Sequence, residues 1–285
     1  MLIEAVPNFS GDPTPMVEAI GAVSGAAVLD HSFDRDHNRS VITCAGPPDA
    51  ILEASLRAAA RAVETIDLRR HRGVHPRIGA LDVLPFVPLQ GARLDDCAAL
   101  AVEAGHRLWR QLAIPVYLYE AAARREECRN LSEVRRRAPG LPPDIGGPAP
   151  HPTAGATAVG ARPFLVAFNV NLKSGNVAAA KAIAAKVRET GGGLARVKAL
   201  GLEIASRGIA QVSMNLTDFT VTSVAAVFDA VEREARSLGL EVLESELIGL
   251  APRAAIDEAV ARHTRIGGWN PSRILENRLA QCGLR

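Results

Sequence analysis

The sequence predicts an α/β protein of the α+β type: two similar ferredoxin-like βαββαβ subdomains with helices packed on one face of each sheet. The 285 residues are 48% hydrophobic and only 22% charged, enough for a large core. Apolar segments with strand and helix periodicity follow the same order in both halves. A segment rich in proline and glycine, residues 139–160, lies between the halves. We therefore predict subdomains at residues 1–158 and 159–285.

The first half alternates predicted strands and helices. Residues 2–9 read as a strand, and Pro13 begins a helix over 13–24, since proline suits the first helical turn. Short apolar runs then predict strands, and apolar positions three and four residues apart predict helices. These elements are strands at 26–30, 40–46, 80–89 and 114–120, and helices at 48–66 and 94–112. The polar segment HSFDRDHNR is predicted to connect the second and third strands.

The second half repeats this order. FLVAFNVNL reads as a strand, followed by a helix whose apolar face includes Val177 and Val187 and which ends at three glycines, Gly191 to Gly193. VKALGLEI and IAQVSMNL read as a hairpin that turns around Gly208. A helix from 224 to 238 and the strand EVLESELIGL complete the unit. The segment between the halves is predicted either as a linker or as an ordered loop across a cleft.

The composition argues against several classes of function. Lys and Arg number 33 and Asp and Glu 31, so the chain has no polyelectrolyte character that would draw it to nucleic acid or a membrane surface. The 4 cysteines are far apart, which argues against structural zinc and disulfides. The N-terminus lacks the pattern of a signal peptide, and no apolar run is long enough to span a bilayer. We expect a cytoplasmic protein without a metal, a nucleic-acid partner or a membrane partner.

A dense cationic patch precedes the strand at 80–89. Its members are Arg69, Arg70, His71, Arg72, His75 and Arg77. One interpretation is a solvated helix end. The other is a site for a polycarboxylate ligand, because guanidinium groups bind carboxylates with two hydrogen bonds. Pro76 holds the backbone of His75 extended, and an imidazole can move protons in both directions at neutral pH.

Two further sets of polar residues have open interpretations. The connector HSFDRDHNR, with Asp30 before it, is a charged loop, a source of a carboxylate that orients His75, or a metal site of no recognised ligand spacing. Asparagines also occur in or beside predicted strands, where this residue is unfavourable. They are Asn8, Asn169, Asn171 and Asn215, and they either bond locally to backbone or converge on one polar cleft.

Several motifs together resemble the formiminotransferase family, in order over residues 4 to about 252. They are V-P-N-F-S, H-N-R-S-V-I-T, G-x-H-P-R-x-G-A-L-D-V-x-P-F-x-P, P-V-Y-L-Y, G-A-R-x-F-L-V-A-F-N-V-N-L and I-A-Q-V-S-x-N-L-x-D-F. This family transfers a formimino group from N-formimino-glutamate to tetrahydrofolate. The resemblance implies two α/β subdomains, a homodimer, tetrahydrofolate as co-substrate, formimino-glutamate as donor, and no metal.

The resemblance also implies site residues. The catalytic histidine of G-x-H-P-R falls on His75, and a further folate-contacting glycine falls on Gly192. The folate loop falls on Gly146, Gly147, Pro148, Ala149, Pro150, His151, Pro152, Thr153, Ala154 and Gly155. Arg39, Arg77 and the cluster from Arg69 to Arg72 are candidates to bind the glutamate carboxylates, and Asn8 and Asn171 to bind the amidine or the pterin edge.

Three departures from the family pattern leave alternatives open. Gly11 and Asp12 follow Ser10 where the family has Glu-Gly, and Ser32 stands where some members have an acid. The folate loop also lacks an aromatic residue before Gly155. One alternative is a related transferase with another donor, or a hydrolase of formimino-glutamate. Another is a folate-binding module without catalysis, since ferredoxin-like pairs serve many functions.

Overall fold

The structure is a computed structural model that describes residues 1–35, 38–73 and 77–284. It confirms a mixed α and β chain of two subdomains, which form the compact units Met1–Pro163 and Phe164–Arg285. The division lies slightly beyond the predicted position at 158/159. A boundary there would cut the strand Thr157–Ala161, which pairs within the first sheet.

The first unit contains a ferredoxin-like core with an extension. The core elements are β1 (Ile3–Ala5), β2 (Asn8–Phe9), α1 (Thr14–Gly21), β3 (Ala27–Asp34), β4 (Arg39–Gly46), α2 (Pro48–Thr65) and β5 (Leu81–Pro88). The extension adds α3 (Leu94–Leu112), β6 (Val116–Glu120), α4 (Leu131–Arg137) and β7 (Thr157–Ala161). In the sheet, β3 pairs with β4, which pairs with β1 and β2, which pair with β5. β7 and β6 then continue the sheet in parallel.

The predicted strand at 2–9 is two short strands on one line of the sheet. Pro7 separates them, and proline has no N–H to donate to a ladder. Both β1 and β2 pair antiparallel with β4 and β5. The interruption therefore leaves Asn8 at the centre of the sheet, opposite Val41 and Val83.

β3 is longer than predicted. It runs through His31–Asp34, which the sequence predicts as a connector, and in the described part of the chain it pairs only with β4. An edge strand tolerates polar side chains, because one of its faces and its outer edge meet water. Ser32 lies in this strand opposite Val41 and is exposed.

The predicted fold class is confirmed, and in the first sheet one helix also packs on the second face. Residues of α1, α2 and α3 pack against Ile3, Phe9 and Phe86 on one face. Val134 of α4 packs on the other face against Tyr117 and Tyr119. These tyrosines alternate along β6 with residues of the first core, so β6 has apolar neighbours on both sides. The short, strongly charged helix α4 gave no clear helical signal in the sequence.

The second unit has the predicted βαββαβ order. Its elements are β8 (Val166–Leu172), α5 (Val177–Val187), β9 (Val197–Ile204), β10 (Ile209–Leu216), α6 (Val224–Ser237) and β11 (Val242–Ile248), followed by α7 (Glu258–His263) and α8 (Leu275–Gln281). The four strands form an antiparallel sheet in the order β11-β8-β10-β9. Its core joins alternate residues of β8, such as Phe168 and Val170, to α5 and α6. Among the described residues, no helix is both long and apolar enough to span a membrane.

Candidate active site

Asn8 and Arg39 meet on the face of the first sheet that points away from α1 and α2. Asn8 is 7% exposed, its amide nitrogen donates to Val6 O at 2.7 Å, and its amide oxygen accepts from the Arg39 guanidinium. The two residues lie on neighbouring strands, β2 and β4. The sequence left two interpretations of Asn8, local bonding to backbone or a place in a polar site. Asn8 does both, since it bonds to the backbone of Val6 and to the Arg39 side chain.

The electrostatic surroundings of Arg39 are unfavourable for a cation. Burial lowers the pKa of its guanidinium to about 10, and the charges of Arg135 and Arg77 add to this effect. The carboxylates of Asp82 and Asp34 oppose it. The Nε atom of Arg39 is buried without a hydrogen-bond partner. A group with an unmet donor and nearby like charges is suited to receive an anion.

Asp82 holds the segment that follows His75 in sequence. It lies in β5 and is 2% exposed. Its Oδ1 accepts the backbone N–H of Ile78 at 2.8 Å, and its Oδ2 accepts from Arg135 Nη2 at 2.6 Å. A carboxylate in a buried strand needs such partners, because an unpaired buried charge costs several kcal/mol. Asp82 therefore links β5 both to Ile78, just before that strand, and to α4.

His71 and Arg77 are in contact beside this group. The Arg77 guanidinium contacts Nδ1 of the ring, and His71 Nε2 lies 3.1 Å from Asn38 O. Nη1 of Arg77 also lies 2.7 Å from Nε2, so both ring nitrogens face the guanidinium. Asn38 Nδ2 also donates to Arg72 O at 3.0 Å. His71 is thus a structural partner of Arg77, consistent with a supporting role in the cationic patch.

A cleft of about 540 Å³ lies beside His71. Its walls are Ser10, Gly11, Asp12, Pro15, Asn38, Thr65, Ile66, Asp67, Arg70 and His71. The Thr14 side chain bonds to the Asp12 carboxyl, and the Thr14 N–H donates to it at 2.8 Å; these bonds, in that order, lower the pKa of Asp12. The described wall residues do not include Asn8, Arg39 or Arg77. The cleft therefore lies next to these three residues rather than around them.

The loop at 146–155 is packed at both ends. Gly146 has a φ of +102°, and a Cβ there would lie 2.7 Å from Cε3 of Trp109. Gly147 also faces the Trp109 ring. Its neighbour Ile145 forms a β-bridge with Val116. Between the ends, the side chains of Pro148, Ala149, Pro150 and Pro152 are exposed.

The second part of the loop is a tight turn closed by His151. The His151 Nδ1 atom accepts the N–H groups of Thr153 at 3.3 Å and Ala154 at 3.0 Å. His151 and Gly155 form an antiparallel bridge. The proton of the neutral ring therefore lies on Nε2, and the turn has a defined shape.

This turn lies against the segment that continues from His75. Gly155 bridges Gly79, Ala80 N donates to Ala154 O at 2.8 Å, and Ala156 N donates to Ile78 O at 2.8 Å. The proline- and glycine-rich segment is thus an ordered loop rather than a free linker. His75 itself lies outside the described residues, as does the rest of 74–76.

In the second unit, Asn171 is the centre of a polar network. Asn171 is fully buried, and its Nδ2 donates to Glu246 Oε1 at 2.7 Å. Gln211 Nε2 donates to Asn171 Oδ1 at 2.8 Å. Arg207 joins Glu244 at 2.7 Å and Glu246 at 3.2 Å, and the bond to Arg207 lowers the pKa of the Glu244 carboxyl. Gly192 lies apart from this network, on an exposed turn after α5, with a φ of +79°.

Within the first unit, the structure brings Asn8 and Arg39 together, and it brings the loop up to the residues after Arg77. Sequence reasoning missed Asp82 and Arg135. The signal for Asp82 was a carboxylate within the apolar run ALDVLPFVPL; Arg135 had no distinct signal within a run of charges. Among the described residues, no group of three or more His, Cys, Asp and Glu side chains is arranged to hold a metal.

Comparison with known proteins agrees with the motifs. Residues 2–162 match the N-terminal subdomain of the formiminotransferase domain, and residues 167–265 match the formiminotransferase domain. The glutamate formimidoyltransferase of Streptococcus pyogenes serotype M1 is 40% identical over 294 residues, 98% of each chain. That of Thermoplasma acidophilum is 37% identical, covering 99% of this chain and 98% of its own. The formimidoyltransferase-cyclodeaminase of Gallus gallus is 42% identical over 90% of this chain and 51% of its own. The chain therefore belongs to the formiminotransferase family.

Proposed function

We propose that the protein is a glutamate formimidoyltransferase. It transfers the formimino group of N-formimino-L-glutamate to tetrahydrofolate and releases L-glutamate and 5-formiminotetrahydrofolate. Relatives that share nearly their full length with this chain have this name. The structural observation that supports it most is the bridge of Gly155 to Gly79, because it joins the loop of the folate motif to the segment of the H-P-R motif.

His75 is the proton carrier of this reaction. N5 of tetrahydrofolate attacks the amidine carbon, a tetrahedral intermediate forms, and the bond from carbon to the glutamate nitrogen breaks. N5 loses a proton and the departing nitrogen gains one, so a single imidazole can take the first and deliver the second. An imidazole ordinarily titrates near ~6.5, which suits both steps at neutral pH. Such acid–base help contributes typically ~10²–10⁴-fold.

The other site residues bind and orient the two substrates. Residues 146–155 and Gly192 contact the folate, Arg39 and Arg77 bind glutamate carboxylates, and Asn8 and Asn171 address the amidine or the pterin edge. Holding two large substrates in attack geometry contributes up to ~7–11 kcal/mol in favourable cases. The hydrogen bonds that fix Asn8 and the 151–155 turn support this role, since preorganised groups lose less freedom on binding.

We further infer a homodimer that acts in the cytoplasm and needs no metal for this transfer. The family resemblance supports the dimer. Size-exclusion chromatography with light scattering tests it directly, and a monomeric active enzyme would contradict it.

The decisive experiment incubates the purified protein with formimino-glutamate, with and without tetrahydrofolate. We expect glutamate to appear only with tetrahydrofolate, in equal amount to 5-formiminotetrahydrofolate. Release of glutamate without folate would instead identify a hydrolase, the alternative that Gly11 and Ser32 motivate. Folate binding without turnover of formimino-glutamate would identify a binding module.

A further inference from the structure

Helix α4 has three consecutive arginines, but only one is turned into the protein. The side chain of Arg135 is 17% exposed, against 63% for Arg136 and 48% for Arg137. Arg136 and Arg137 pair with Glu133 on their own helix. Burying a guanidinium has a large desolvation penalty, so the inward position of Arg135 needs a compensating partner.

Asp82 compensates Arg135 only in part. One carboxylate oxygen accepts from Arg135 Nη2 and the other from the backbone N–H of Ile78. The hydrogen-bond partner of Arg39 is the neutral amide of Asn8. Asp82 thus bonds directly to Arg135, whereas the charges of Asp82 and Asp34 act on Arg39 electrostatically.

Both arginines also have an unmet donor of the same kind. The Nε atoms of Arg39 and Arg135 are each buried without a hydrogen-bond partner. Nε and a neighbouring Nη form the side of the guanidinium fork that receives both oxygens of a carboxylate. The two guanidiniums meet at the same point of β5: Arg39 bonds to Asn8, which pairs with Val83, and Arg135 bonds to the adjacent Asp82. A purely structural ion pair explains the contact with Asp82, but it leaves both Nε atoms unexplained.

We propose that Arg39 and Arg135 together form a carboxylate subsite for a glutamate moiety, with Asp82 as the counter-ion that positions Arg135. The carboxylate chemistry follows from the two guanidiniums, whereas the assignment to a glutamate moiety rests on the proposed function. Two substrates carry such a moiety, formimino-glutamate and the tail of tetrahydrofolate. Steady-state kinetics with each substrate varied in turn separates these sources.

The test compares Arg135→Gln with Arg136→Gln, a matched control on the exposed side of the same helix. Loss of a charge-assisted bidentate contact should raise KM about 10- to 100-fold for one substrate. We expect KM for the other substrate and kcat to stay within about two-fold, and the control to match the wild-type protein. Arg135→Lys keeps the positive charge beside Asp82 but lacks the guanidinium fork. Its KM should therefore lie between those of the wild-type protein and Arg135→Gln.

Unchanged KM values, an equal rise in both, or a loss in kcat alone would overturn the subsite. A titration of the intact protein with glutarate, a plain dicarboxylate, gives a readout that needs no turnover. We expect Arg135→Gln to weaken glutarate binding at least about 10-fold, and Arg136→Gln to leave it unchanged. If the wild-type protein binds glutarate in this way but transfers no formimino group, the proposed function fails and the subsite stands.

Absence of glutarate binding to the wild-type protein, or equal binding by both variants, overturns the subsite. If thermal unfolding shows that Arg135→Gln is misfolded, Arg135→Lys takes its place in both measurements. Wild-type values of KM and of glutarate affinity in that variant then contradict the proposal.

Discussion

Gly79 and Gly155 form an antiparallel bridge in which neither residue has room for a side chain. A Cβ on Gly79 would overlap the carbonyl oxygen of Ala156, and one on Gly155 would overlap that of Ile78. Gly155 also has a φ of +72°, where other residues are strained. The close approach of these two backbones fixes the loop at 146–155 to the segment after His75.

Gly79→Ala should separate these backbones. Because the obstacle is a backbone atom rather than a flexible side chain, we expect a loss of about 1–3 kcal/mol in the free energy of unfolding. This corresponds to a fall in Tm of roughly 2–12 °C, measured by circular dichroism, together with weaker folate binding. Gly21→Ala is the matched control, since a Cβ there meets nothing within 4 Å. An unchanged Tm and folate affinity in Gly79→Ala would contradict the role of the bridge.

Glu4 makes the stability of the first unit depend on pH. It lies in β1 with 2% exposure, and burial raises its pKa to about 7, while Arg162 acts in the opposite direction. Cys44 on the neighbouring strand is also within electrostatic reach, and burial raises its pKa to about 12. The folded state therefore holds the Glu4 proton more tightly than the unfolded state. The contribution of Glu4 to the free energy of unfolding is fully present below pH 4.5, is lost as the pH rises to about 7, and does not change above that value.

Glu4→Gln tests this dependence, because the amide keeps the shape and cannot ionise. At pH 8 we expect the variant to be more stable than the wild-type protein, by up to about 3 kcal/mol, and at pH 4 equally stable. Urea unfolding at a series of pH values measures the difference. Glu126→Gln, whose native side chain is 84% exposed, is the control and should follow the wild-type curve. A constant difference between Glu4→Gln and wild type at every pH would contradict the explanation.

The sequence predicted the elements whose apolar pattern is strong and missed those that polar neighbours stabilise. Helix α3 was predicted at its observed bounds because its apolar residues repeat at helical spacing over nineteen residues. Helix α4 has seven residues, and Val134 is its one buried member, so no periodicity was visible. The same limit applies to the site. Asn8 and Arg39 were found from motifs, but the position of Arg135 depends on the partner Asp82, 53 residues away in sequence.

Asn171 was predicted to bind a substrate, and its buried network allows a test of that assignment. Asn171→Ala would leave Gln211 and Glu246 without a shared partner, which costs about 1–3 kcal/mol. A structural residue would lower Tm and leave KM unchanged in the surviving folded protein. A substrate-binding residue would also raise KM, and we expect this result. Asn215→Ala, an exposed asparagine on β10, is the control and should change neither quantity.

His75→Ala separates catalysis from substrate binding. His75 belongs to the cationic patch in sequence, and the segment after it, at Ile78 and Gly79, is held by Asp82 and by Gly155. Because these anchors do not involve the imidazole, we expect the variant to fold with an unchanged Tm and to bind folate normally. Loss of the proton carrier should lower kcat at least ~10²-fold. The pH profile adds a second readout. The wild-type kcat should change with pH in the range where an imidazole ionises, and the residual kcat of the variant should not. Near-normal turnover in His75→Ala would remove His75 from the mechanism.

His71→Ala is the comparison within the same patch. It removes a partner of Arg77 rather than the proton carrier, so it should raise KM more than it lowers kcat.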